Sequence, residues 1–350
     1  MNAKKWFFTS LLVSGVILLL FAAAMYITDP LMVFRRDNSL FSFWTYNQLY
    51  SNPGLARQYS YSTVITGSSM SLNFDNDEVD ELFDTSSLTL AYNSATFRND
   101  KRILDICFEE QPLDRVIISL DIFSGISPWQ QCNASLPEFL YTEGLSRDVP
   151  YLLNLDVFYH HIPANLIETL HGTQQPLRQR HPAAYVYSAD TVLRDFSLRT
   201  ALPQVDTSSY LVNTEENLKY NVLPLIEKHP DTEFIFYIPP YSVLTWYEKS
   251  LDGRLNPMLD SVKTVVSALL AYDNVKIYSF LWDTDVITAM DNYRDTYHYS
   301  PEIASDMLHQ IVSGKSPLTA DNYEAQFESF RSYLQNFDFV EYVNSYLSRE

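Results

Sequence analysis

Apolar residues are distributed along this 350-residue chain in two distinct patterns. The first is one continuous stretch from Trp6 to Ile27, apolar apart from Thr9, Ser10 and Ser14 and free of charge. About twenty such residues, rising about 1.5 Å each as a helix, match the hydrocarbon thickness of a bilayer. Lys4 and Lys5 stand just before the stretch. Basic residues are retained on the cytoplasmic side, so residues 1–5 are expected in the cytoplasm, 6–27 as a single transmembrane anchor, and the body outside. FAAAM offers small residues near the end of the stretch, but the apolar run is longer than the core of a cleavable signal peptide, and an uncleaved anchor is expected.

The second pattern begins at Ser62, where short apolar runs alternate with amphipathic ones. Runs rich in β-branched and aromatic residues predict strands at Thr63–Thr66, Leu88–Tyr92, Val116–Asp121, Phe234–Ile238 and Val275–Tyr278. Between them VDELF, DKRILDICFEE, LKYNVLPLIEKH and MLDSVKTVVSALLAY space their apolar residues as helices do. Several strands are apolar throughout, as when helices cover both faces of a sheet. The expected fold is α/β, a three-layer α/β/α sandwich on a mostly parallel, flavodoxin-like five-stranded sheet occupying residues 61–316. Residues 28–60 read as an irregular aromatic connector closing in a turn at NPG. The interval 124–222 breaks the alternation and is expected as an insertion over the carboxyl edge of the sheet. PEIASDMLHQIV, with Pro at an early helical position, predicts a helix after Ser300. The tail, 317–350, carries Phe and Tyr at helical spacing and is expected to dock on the body.

Chemistry concentrates in two segments far apart in the chain. In YSTVITGSSMSLNF, Tyr61 to Phe74, a β-branched run ends at Gly67 and NFDNDEVDELF reads as the start of a helix. Ser68 or Ser69 is thereby presented at a strand-to-helix turn, the edge where open α/β sheets bind ligands. A serine hydroxyl attacks only when a base takes its proton and a third group orients that base. In DNYRDTYHYS, Asp291 to Ser300, Asp295 and His298 are spaced to share one face of a helical turn, carboxylate on one ring nitrogen and serine on the other.

Taken together, TGSSM and DTYH resemble the first and last blocks of the SGNH (GDSL-like) esterase superfamily. The resemblance implies Ser69 as nucleophile, His298 as base and Asp295 as orienting acid. Ser68 stands where that family often has Asp, a substitution shared with its membrane-anchored branch, the D-alanine transfer proteins of lipoteichoic-acid synthesis. IPPYS, Ile238 to Ser242, also resembles that branch, and the resemblance places Ser68 and Tyr241 beside the substrate. The family's second block supplies a glycine N–H to the oxyanion hole and its third an asparagine side chain. Here the second block is YNSATF, leaving backbone N–H groups of Ser69 and Ser94 and the side chain of Asn93 as oxyanion donors. The third is VIISLDIFSG, with Asp121 near the asparagine position. One missing donor costs about a hundred- to a thousandfold in rate. The resemblance implies an exported, membrane-anchored serine esterase or O-acyltransferase that needs no cofactor and acts on acyl groups of cell-envelope polysaccharide or teichoic acid. The alternative is an inactive relative serving as an envelope polysaccharide-binding or assembly protein, and an envelope-assembly protein is also expected among its partners.

Charge narrows the partners. Forty-three acidic residues against 24 basic give a net charge of −19, which excludes a nucleic-acid role and opposes docking of a bulk polyanion without a local basic groove. Arg178 and Arg180, in RQRH, are the candidates for such a patch. No metal is expected at His160 and His161, which as neighbours in a strand would point to opposite faces. Asn133-Ala134-Ser135 spells a glycosylation acceptor, meaningful only in a eukaryotic source. Of the two cysteines, Cys107 falls in an amphipathic run and reads as a buried hydrophobe, and no disulfide to Cys132 is indicated.

Overall fold

The computed structural model of the chain describes residues 3–36, 47–132, 135–171 and 185–348. Arg178, Arg180, Asn133 and Ala134 lie outside the described residues. The first half runs α1 (Ala3–Thr28), α2 (Gln48–Gln58), β1 (Thr63–Thr66), α3 (Asn76–Phe83), β2 (Ser87–Thr89), α4 (Phe97–Glu110), β3 (Arg115–Ser119), α5 (Leu145–Leu152) and α6 (Leu155–His171). After α7 (Ala189–Arg194), α8 (Tyr210–Asn217) and α9 (Leu223–Lys228) come β4 (Glu233–Ile238), α10 (Val243–Leu251), α11 (Leu255–Leu269) and β5 (Val275–Ser279). The chain ends with α12 (Thr284–Ile287), α13 (Pro301–Val312), α14 (Tyr323–Asn336) and α15 (Phe339–Leu347).

Two units compose the chain, one formed by Met1–Ser60 with Ser135–Leu177, the other by Tyr61–Ala134 with Arg178–Glu350. The interval read as one insertion is thus divided between them.

The larger unit is α/β, with a five-stranded, all-parallel sheet in the order β2-β1-β3-β4-β5. Each strand falls where an apolar run predicted it, with ends displaced by three residues at most. β1 and β2 are buried at every position, as continuous apolar and β-branched strands require when both faces are covered. Because the strands are parallel, their carboxyl ends share one edge. The order turns around at β1, so the loops leaving β1 and β3 open a crevice there. Register pairs Thr66 with Ile118, which brings Gly67 against Ser119. A Cβ on Gly67 would lie 2.1 Å from Ser119 Oγ, and its φ of +114° is closed to other residues, so glycine is required on both counts. The tail docks as expected: Phe327 and Phe330 of α14 are buried, edge-on to Trp282 and Trp246.

In the smaller unit, α1 is long and apolar enough to cross a membrane, with mean hydropathy 2.4 over its most apolar window and 6% of that window buried. At its end Asp29 accepts hydrogen bonds from the N–H groups of Val33, Phe34 and Arg35 and from Tyr151 of α5. The connector is less irregular than expected, because NPG lies inside α2 rather than making a turn. Pro53 cannot donate to the Leu49 carbonyl four residues back, and that carbonyl instead accepts from Tyr141 Oη at 3.0 Å. Gly54 is where the Leu31 carbonyl comes close, 2.0 Å from the place a Cβ would occupy. His160 and His161 sit on helix α6, not on the strand assumed for them.

Candidate functional site

β1 delivers the serine turn. After Gly67 the chain enters a 3-10 turn, Ser69–Asn73, and only then α3, so Ser68 caps and Ser69 opens a short 3-10 segment rather than the longer helix expected. Ser68 and Ser69 separate cleanly here. Ser68 Oγ accepts from Met70 N–H at 3.1 Å and its own N–H donates to Ser119 Oγ at 2.9 Å, which ties it to the turn. Ser69 Oγ lies 2.8 Å from His298 Nε2.

The base sits on a loop that was expected to be a helical turn and is not. Tyr293 and Tyr299 form an antiparallel bridge, and between them Asp295 Oδ1 accepts from the N–H groups of Tyr297 and His298, both at 2.8 Å. This carboxylate-closed turn places the two side chains together as the helical spacing would have done, by a different backbone. His298 Nδ1 is 2.7 Å from Asp295 Oδ2 and 2.9 Å from Oδ1. An ionised carboxylate only accepts, so Nδ1 carries the proton and Nε2 presents its lone pair to Ser69. Burial acts to raise Asp295, but the hydrogen bonds and electrostatic attraction of the His298 ring and the two backbone donors outweigh it and hold the carboxyl below its ordinary value. The loop is pinned to the serine turn, with Tyr299 Oη donating to the Met70 carbonyl at 2.7 Å and Asn73 donating to the Tyr299 carbonyl at 2.5 Å. Tyr293 Oη fixes its other end on the Pro240 carbonyl at 2.6 Å.

Ser69 and His298 line a cleft of about 400 Å³ walled by Phe123, Tyr241, Tyr297, Ala95 and Met70, with Ser68, Ser94 and Asp121 also at its surface. Ser94 has a φ of +51°, the left-handed conformation that glycine takes without strain. Among the described residues neither Ser69 N–H nor Ser94 N–H is spent on an internal acceptor. Asn93 is exposed and is not part of the cleft lining. Tyr241 is buried, and its hydroxyl donates to Asp121, leaving its ring to the cleft.

Two buried carboxyls flank the serine turn. Asp121 accepts from Ser119 Oγ at 2.6 Å and from Tyr241, yet burial outweighs these donors and those of Ser68 and raises its pKa. Asp100, on α4, accepts from Thr66 Oγ1 at 2.9 Å, while its Oδ2 has no hydrogen-bond partner among the described residues. Burial pushes Asp100 up to about 7, helped by the charge of Asp121 and opposed by the hydrogen bonds from Thr66 and Gly67. Sequence reasoning passed over Asp100, Ser119 and Tyr299. The signal for Asp100 was a carboxylate on the apolar face of an amphipathic run.

Asp100 makes a stability prediction. Its folded pKa lies above its unfolded one, so between about pH 4 and pH 7 the folded state holds more protons and stability falls as pH rises, by up to about 1.4 kcal/mol per pH unit from this group alone. Thermal unfolding should find Asp100→Asn gaining on the native chain from pH 5 to pH 7.5. A difference constant over that range would show that Asp100 carries no such penalty.

No protein-family model matches the chain, and no curated protein matches it.

Proposed function

We propose that this chain is a membrane-anchored serine esterase or O-acyltransferase of the SGNH type, its body extracytoplasmic and built as a flavodoxin-like three-layer sandwich. The observation that carries the reading is the continuous line from Ser69 Oγ through His298 to Asp295, with separations of 2.8 Å and 2.7 Å. Ser69 attacks the acyl carbonyl while His298 Nε2 takes its proton. The oxyanion forms against the N–H groups of Ser69 and Ser94, the latter supported by a backbone shaped as the family's glycine would shape it. His298 then returns the proton to the departing alcohol, and water or an acceptor hydroxyl, deprotonated by the same nitrogen, releases the acyl group from Ser69.

An aromatic cleft lined, among the described residues, by no Lys or Arg suits an uncharged acyl ester on a sugar or polyol better than a bare phosphate polymer. The substrate class proposed is therefore O-acylated envelope carbohydrate or another acyl donor, with an envelope-assembly protein as partner. A binding-only role draws on two features, Ser94 in place of the family's glycine and Asp121 at the place of its donor asparagine. Hydrolysis of p-nitrophenyl acetate by the full chain in detergent separates the two. An enzyme loses turnover in Ser69→Ala, whereas native turnover no higher than that variant's would remove the catalytic reading.

A further inference from the structure

α6 is amphipathic with its apolar side outward. Leu155, Tyr159, Leu166 and Leu170 recur at helical spacing on one arc and are 60%, 65%, 43% and 76% exposed. His160, Glu168 and His171 lie away from that arc, with Asp156 and the exposed Ile167 on the flank between. A helix buried in a folded core shows the reverse, so this face is built for surroundings other than water.

What those surroundings are follows from what the helix touches. On the wheel, the exposed arc adjoins Phe158, whose ring lies 4.8 Å from that of Phe21 in α1. Phe21 is seven residues before the end of α1 at Thr28, a rise of about 10 Å below the helix end. Asn165 of α6 reaches back to the Pro30 carbonyl, just beyond that end, at 3.1 Å. α6 is thus held at the end of the apolar helix with one ring about 10 Å down its side, the depth to which interfacial helices sink.

We propose that α6 is an interfacial membrane helix, lying in the bilayer surface at the C-terminal end of α1 with Leu155, Tyr159, Leu166 and Leu170 among the acyl chains. The proposal rests on α1 spanning the membrane. α6 contains no Lys or Arg, so its insertion is driven by apolar burial and does not require anionic lipid.

The test uses the full chain in phosphatidylcholine vesicles, in a Cys132→Ser background where the buried Cys107 is shielded from labelling. An environment-sensitive fluorophore is placed by Leu166→Cys, Leu170→Cys, His160→Cys on the polar arc, and Leu12→Cys in α1. Nitroxide lipids with a shallow spin label should quench the Leu166 and Leu170 positions at least threefold more than His160, while a deep spin label quenches Leu12. Quenching at Leu12 with Leu166 and Leu170 no different from His160 would overturn the proposal and point to a protein covering this face. Absence of quenching at Leu12 would overturn it together with the membrane reading of α1.

Discussion

His298→Ala is expected to lower ester turnover by roughly four to six orders of magnitude, about as much as Ser69→Ala, and the double variant should be little worse than either. The ring contacts both partners, with Nε2 2.8 Å from Ser69 Oγ and Nδ1 2.7 Å from Asp295, so its loss leaves the hydroxyl with no base. The loop itself should survive, because Tyr293 and Tyr299 hold it through their own hydroxyls. Asp295 needs a gentler substitution, since its Oδ1 also closes the turn through Tyr297 and His298 N–H. Asp295→Asn keeps an acceptor for those bonds and puts an amide against Nδ1, so it should cost about three to four orders of magnitude with unfolding little changed. Steady-state turnover beside thermal unfolding checks both. Additive losses in the Ser69/His298 pair would mean that the two residues do not act as a unit.

The second large effect has the opposite sign. Asp121 lies in the same cleft as Ser69, where the proposed SGNH reading puts an asparagine that donates an N–H to the oxyanion. A neutral carboxyl can donate its O–H there, but an ionised one repels the developing charge. Because burial raises Asp121 above its ordinary value, the neutral form persists to higher pH than in a free aspartate and is then lost as pH rises. Turnover should therefore fall as rising pH ionises Asp121. Asp121→Asn removes the falling limb and raises turnover on its alkaline side by about a hundred- to a thousandfold, the scale of one oxyanion donor. A pH–rate profile of the two proteins side by side reads this out. An unchanged profile in the variant would place Asp121 in a purely structural role with Ser119 and Tyr241.

How far sequence alone reached depended on whether the information was local. β1 was placed at Thr63–Thr66 and found there, because a buried parallel strand must be apolar along its whole length. Asp295 and His298 were paired because three residues separate them, and they do meet, although the assumed helical turn proved to be a carboxylate-closed loop. Several backbones can satisfy one short spacing. Pro53 and Gly54 misled for a related reason: they normally break helices, yet here Tyr141 satisfies the orphaned Leu49 carbonyl and Leu31 fills the space beside Gly54. Such compensation comes from residues tens of positions away. Ser119 and Asp100 were missed on the same account, since their importance arises only when β3 and α4 pack behind Gly67 and Thr66.

The central claim is that Ser69 is an activated nucleophile, and covalent labelling of the full chain in detergent by a fluorophosphonate, with the modified residue located by peptide mapping, tests it most directly. The account predicts an adduct on Ser69 that disappears in Ser69→Ala and falls sharply in His298→Ala. Undiminished labelling in Ser69→Ala, or a native protein that folds and takes no label, would contradict it.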